Sequence, residues 1–133
     1  MTGYIADTSI FVAAEQGREI GSAPSGDARI SVATLTELGV GLRRAHDPAL
    51  RELREATFSR ARRFIALPYD EPVAEHLAEL LAAARAAGRR AGAMDAIIAA
   101  TALAHDLSVW TQDNDFETLR DLVPSLRVES AAL

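Results

Sequence analysis

A chain of 133 residues, 49% hydrophobic and 25% charged, is one domain by length, large enough to bury a core without staples and nowhere biased enough to be disordered. It has no cysteine, which excludes a disulfide framework and a thiolate metal site, and no lysine, which excludes a phosphate-binding P-loop and Schiff-base chemistry. The net charge of −5 speaks against a broadly basic surface.

In chain order, Gly3 to Ala6 reads as a short buried strand, closed by Asp7 ahead of the apolar Ile10-Phe-Val-Ala13. Gly21-Ser-Ala-Pro-Ser-Gly26 is a loop, too short to separate domains. A second strand is predicted over 29–33, and Glu37 is expected to open the helix that follows. Leu50, Leu53, Thr57, Ala61 and Phe64 recur at helical spacing and should share one face. A third strand falls near 64–67. Pro72 suits the first turn of a helix carrying Val73, Leu77, Leu80, Leu81 and Ala84. Asp95 opens the almost wholly apolar Ala96-Ile-Ile-Ala-Ala-Thr-Ala-Leu-Ala104, as expected of a helix buried on most sides. Strands near 107–111 and 126–128 complete the pattern, with Asp113 and Asp115 just after the first of them. Alternating strands and helices predict a single-domain α/β/α sandwich with a central parallel sheet of about five strands. No apolar run approaches the roughly 18 to 20 residues of a membrane span. The strand beginning at Gly3 leaves no room for a signal segment, so a cytoplasmic protein without a membrane partner is expected.

Five acids thus stand where secondary structure changes. Each has an ordinary local explanation. Asp7 can cap the helix after it; Thr34-Leu-Thr-Glu37 has the form of a capping box; Asp95 gains from a helix dipole; and Asp113-Asn-Asp115 can be a turn. Capping does not, however, require all of them to fall on one edge of one sheet. The carboxyl ends of parallel strands share an edge, where ligands gather. Carboxylates brought together there repel unless a divalent cation neutralises them. Oxygen-only ligands point to Mg²⁺ or Mn²⁺. His46, His76 and His105 are assigned surface or packing roles.

Two divalent ions would bring the charge of −5 to −1. Residues 43–63 hold seven arginines against three acids, and all fourteen basic residues of the chain are arginine. That bias suits phosphate recognition, and a GC-rich genome produces it equally well.

The order of motifs resembles the PIN-domain family, and within it the VapC-type ribonuclease toxins of bacterial toxin–antitoxin pairs. The matching stretches are Ile5-Ala-Asp-Thr-Ser9, the run from Ile30 to Gly41, the run from Gly88 to Ala102, and Val109-Trp-Thr-Gln-Asp-Asn-Asp-Phe116. The resemblance implies one PIN-like nuclease domain over 1–133. It also implies an acidic quartet of Asp7, Glu37, Asp95 and Asp113, with Asp115 as a further metal ligand and Ser9 and Thr111 as supporting polar residues. Many relatives place the last acid three residues after its predecessor; here Asp115 is two after Asp113. Further implied are an RNA substrate, a homodimer, and a cognate antitoxin whose peptide packs in an apolar groove and inserts a basic side chain among the acids.

The chemistry expected is hydrolysis by water, with Asp7 and Asp95 as principal metal bridges and Glu37 and Asp113 completing the shell or orienting water. It leaves 5′-phosphate and 3′-hydroxyl ends. Low aromatic content, 5%, favours shape and phosphate placement over base stacking, as in a structured RNA such as tRNA or rRNA. Arg89, Arg90, Arg43 and Arg44 are candidates to hold flanking phosphates. The alternatives are a Mg²⁺-dependent phosphatase-like enzyme and a non-catalytic PIN-like binding module. Against the first, no second Asp lies two residues after Asp7 and the usual lysine is absent; activity separates the second.

Overall fold

The computed structural model describes residues 3–133. Five parallel strands form one sheet in the order β3-β2-β1-β4-β5: β1 Tyr4–Ala6, β2 Ala28–Ser31, β3 Ile65–Leu67, β4 Ser108–Thr111 and β5 Val128–Ser130. In register, Ile5 of the central strand lies opposite Arg29 on one side and Val109 on the other. Six helices fill the connections: α1 Thr8–Glu15, α2 Val32–Arg43, α3 Pro48–Ala61, α4 Glu71–Ala86, α5 Ala93–His105 and α6 Asp115–Leu122.

Strand alternation sorts the core into two layers. Ile5 and Val109 point to one face, where they join Val73, Leu80, Ile98 and Phe116 from α4, α5 and α6. Tyr4, Ala6, Ile30 and Trp110 point to the other, against Ile10 and Phe11 of α1 and Ala61 of α3. Full burial of each large aliphatic or aromatic side chain contributes about 1.5–3 kcal/mol. Tyr4 and Trp110 meet edge to face with ring centroids 5.7 Å apart, and Trp110 Nε1 is buried with no hydrogen-bond partner among the described residues. The expected α/β/α sandwich is therefore what the chain forms. In α5 alanines at 96, 99, 100 and 102 are all buried, and the hydroxyl of buried Thr101 donates to the Ile97 carbonyl at 2.7 Å, removing the cost of an unpaired polar group.

Several boundaries differ from expectation. The second strand stops at Ser31 because its hydroxyl accepts from the Ala33 amide at 3.0 Å and starts α2 there. Glu37 consequently lies inside α2 and does not open it, and Thr34 is a helix-interior residue, so no capping box forms. β5 sits two residues beyond the predicted 126–128: Leu126 is buried in the core ahead of the strand, and the ladder to β4 runs through Val128, Glu129 and Ser130. The face expected of 50–64 is broken at both ends. α3 closes at Ala61, and Leu53 is exposed while Thr57 and Ala61 are buried. His46 sits in the α2–α3 connection, His76 in α4 beside Glu79 at 3.5 Å, and His105 ends α5.

Candidate active site

The strand order turns back on itself at β1, with β2 to one side and β4 to the other. Such a reversal opens a crevice at the carboxyl ends of the strands. Asp7 follows β1 and Asp113 follows β4, so both are delivered to that crevice by the topology. The Asp7 amide is fixed to the Trp110 carbonyl at 3.0 Å. Glu37 reaches the crevice from the second turn of α2, Asp95 from the first turn of α5 and Asp115 from the start of α6.

A hydroxyl network seats Asp7, which is only 2% exposed. Asp7 does cap α1, accepting from the Ser9 amide at 3.3 Å, yet the same oxygen, Oδ2, also receives the Thr111 hydroxyl at 2.8 Å. Having given its one proton to Asp7, Thr111 Oγ1 acts as acceptor toward the Asp113 amide at 2.8 Å and the Ser9 hydroxyl at 3.2 Å. Ser9 Oγ accepts in turn from the Gln112 amide at 3.0 Å. Two residues expected to support the acids are therefore hydrogen-bonded to Asp7 and to each other. Asp113 Oδ1 accepts from the Asp115 amide at 2.9 Å, closing the turn that the sequence suggested.

On the opposite rim the Thr8 hydroxyl donates to Glu37 Oε1 at 2.6 Å and lies 3.0 Å from the hydroxyl of the fully buried Thr34. Sequence reading missed both threonines. The available signal was a hydroxyl directly after the strand-end acid, combined with a polar residue one helical turn before Glu37.

Neighbouring carboxylates act on Asp95 and Glu37. Burial, followed by the charges of Asp7, Asp113, Glu37 and Asp115, raises Asp95 to about 7. Glu37 is raised by burial and then by Asp7 and Asp113, with the Thr8 hydrogen bond opposing. Asp7 is raised by burial against the hydrogen bonds from Ser9, Thr111 and the backbone. The tightest group is Asp95, Asp113 and Asp115, each offering an oxygen within 4.8 Å of the others. Asp7 and Glu37 stand outside that trio. An all-carboxylate set in which neighbouring charges raise Asp95 and Glu37 fits a hard divalent cation, which takes oxygen ligands and relieves the repulsion.

The arginines divide. Arg90 lines a cleft of about 130 Å³ together with Asp95 and Asp115, and Arg89 is its neighbour in the α4–α5 connection. Arg43 and Arg44 lie at the far end of α2, on the order of 10 Å beyond Glu37 along the helix axis. Arg43 Nη1 donates to the Gly39 carbonyl at 3.2 Å.

Comparison with known proteins agrees with this architecture. The PIN domain family pattern matches residues 4–122. Ribonuclease VapC4 of Mycobacterium tuberculosis is 40% identical over 119 residues, 89% of this chain and 92% of that protein. Ribonuclease VapC5 of the same organism is 38% identical over 116 residues, covering 86% of each. Among solved structures, VapBC-5 from Mycobacterium tuberculosis, a member of the VapBC family of toxin-antitoxin systems, superposes with a TM-score of 0.79 at 31% identity over 100% of both chains. The chain belongs to the PIN-domain family, and to the VapC group within it.

Proposed function

We propose that the protein is a Mg²⁺- or Mn²⁺-dependent endoribonuclease, the toxin of a type II toxin–antitoxin pair, acting as a single nuclease domain over 1–133 in the cytoplasm. The observation that carries the reading is the meeting of five carboxylates, from four separate segments, at the strand-order reversal, where the charges of their neighbours add to burial in raising Asp95 and Glu37. The names of the relatives, ribonucleases VapC4 and VapC5, supply the substrate class and the activity. The VapBC neighbour supplies the antitoxin partner.

Asp7, Asp95, Asp113 and Asp115 hold the cation, with Glu37 completing the set; the tight trio gives Asp115 a direct share. When bound, the ion lowers the pKa of the attacking water and offsets charge growing on the phosphate oxygens. Ser9 and Thr111 keep Asp7 in one orientation, so little reorganisation accompanies the reaction. Glu37 has Oε1 engaged by Thr8 and keeps Oε2 to orient the water and take its proton. Water attacks phosphorus, the bond to the 3′-oxygen breaks and that oxygen is protonated, leaving 5′-phosphate and 3′-hydroxyl ends without use of the 2′-hydroxyl.

Structured RNA, a tRNA or an rRNA segment, is the proposed substrate, with Arg89 and Arg90 beside the scissile phosphate and Arg43 and Arg44 reaching only more distant phosphates. A half-apolar hollow of about 300 Å³ runs from Thr8 and Glu37 past Val12 and Leu38 to Arg54, and suits an antitoxin peptide. A homodimer is also proposed. Total RNA incubated with Mn²⁺ or Mg²⁺ should give discrete fragments with wild type, none with EDTA and none with Asp95→Asn. Cutting that persists in chelator or in the variant would overturn the mechanism.

A further inference from the structure

The carboxylates have unlike flanks. The hollow beyond Glu37 also holds Glu15, two acids against the single Arg54, whose Nη1 is already engaged by the Gly41 carbonyl at 2.6 Å. A polyanion gains little there. On the opposite side, Arg90 and Ala91 line the cleft that holds Asp95 and Asp115. The same two residues line a second hollow, of about 450 Å³, together with Arg85 and Arg89. Leu81 and Arg85 also border a third, on the side of Ala82 and Ala86. The first two hollows adjoin at Arg90 and Ala91, a trough that leads from the carboxylates over the α4–α5 connection to the last turn of α4, while the third lies across the Leu81–Arg85 ridge of that helix.

Beyond Asp95 and Asp115 the lining of this trough contains three arginines and no acid. Arg85, Arg89 and Arg90 are exposed, and among the described residues none of them makes an ion pair or a side-chain hydrogen bond. Guanidinium groups free of carboxylate partners, next to a cluster that repels phosphate, are where a chain of phosphates can be held. The remaining wall is small and aliphatic, Leu81 and Ala84 among it, with no aromatic ring to stack a base.

We propose that this trough is the path of the unpaired RNA strand flanking the cut, Arg90, Arg89 and Arg85 meeting successive phosphates outward from the carboxylates. The inference rests on the ribonuclease reading and adds the side on which the strand leaves. It also adds Arg85 as a phosphate-binding residue, and a requirement for an unpaired segment there, recognised through phosphate and tolerant of sequence.

The test uses the full chain with Asp95→Asn, so that RNA binds without being cut, and a short fluorescent oligoadenylate followed by anisotropy in Mn²⁺ over a salt series. Adding Arg85→Glu and Arg89→Glu together should lower affinity at least about tenfold at low salt. It should flatten the slope of log affinity against log salt by roughly 1.4, about 0.7 for each single-strand phosphate that is no longer neutralised. Adding Arg18→Glu and Arg63→Glu, an equal change of net charge at exposed sites outside the trough, should change affinity less than about twofold. Equal losses in the two pairs, or an unchanged slope in the first, overturn the path. A shifted sedimentation coefficient with RNA affinity intact assigns the face to a second copy of the chain and overturns it too. If wild type cleaves RNA while the trough pair binds normally, only the path fails. If wild type does not cleave and Asp95→Asn does not bind, the ribonuclease reading fails and the path with it.

Discussion

The hydroxyl of Thr8 donates to Glu37 Oε1 at 2.6 Å, joining the first turn of α1 to the second turn of α2 across 29 residues of sequence. The bond fixes one oxygen of a carboxylate that is otherwise carried on a flexible side chain. A hydrogen bond to a charged acceptor is worth about 1.5–3 kcal/mol, so its loss corresponds to roughly tenfold or more in whatever equilibrium depends on Glu37. Thr8→Val should raise the Mn²⁺ concentration for half-maximal cleavage by about that factor, and Thr8→Ser should restore it. If the valine variant titrates like wild type, Thr8 has no positioning role.

Thr111 sits at the centre of the opposite network. Replacing it with valine leaves the Asp113 amide without its acceptor and takes from Asp7 its hydroxyl donor, leaving it the Ser9 amide, near the floor of the crevice. The expected cost is on the order of 1–3 kcal/mol, read as a lower urea midpoint at unchanged m-value. Cleavage should fall as well, because Asp7 loses its orientation. A midpoint equal to wild type would show that water replaces the hydroxyl without penalty.

Stability should depend on pH in a direction unusual for an acidic protein. The folded-state pKa of Asp95 is raised from 3.8 to about 7, so between those values the native state binds more protons than the unfolded chain. Its contribution is fully present below about pH 4 and is lost as pH rises through about 7. Glu37 and Asp7, also raised, act in the same sense. Asp95 is partly buried, and after allowance for solvent screening its share is on the order of 1–2 kcal/mol. Denaturant melts in EDTA from pH 5 to pH 8 should show falling stability, and Mn²⁺ should reverse the fall at pH 8.

Asp95→Asn removes the carboxylate that the other four repel most. At pH 8 in EDTA the variant should therefore be more stable than wild type by about 1 kcal/mol, while cleavage drops by at least about a hundredfold. A variant that is both inactive and less stable would mean that Asp95 is held by favourable contacts, contrary to the mutual repulsion described above.

Much of this architecture was legible along the chain. Short apolar runs marked all five strands, and the parallel sheet followed from their alternation with helices, which in turn put Asp7 and Asp113 on one edge. Boundaries were less legible because they are settled by single hydrogen bonds. Both Ser31 and Thr34 are acceptable caps in sequence, and only the bond from Ser31 to the Ala33 amide selects the earlier start and places Glu37 inside α2. The shift of β5 arises from Leu126, whose burial precedes the strand instead of belonging to it. Thr8 and Arg85 escaped notice for a related reason. Thr8 meets Glu37 only through packing of α1 on α2, 29 residues apart, and Arg85 gains meaning only once the end of α4 is seen beside the cleft that holds Asp95 and Asp115.

Trp110 is the chain's sole tryptophan, and its indole N–H is buried with no hydrogen-bond partner among the described residues, one residue before Thr111. Its backbone carbonyl also holds the amide of Asp7. The fold thereby carries an intrinsic optical reporter wired into the floor of the acidic crevice. Emission from that buried indole should be blue-shifted, and a change in its intensity on adding Mn²⁺ would report on the crevice in solution with no label attached.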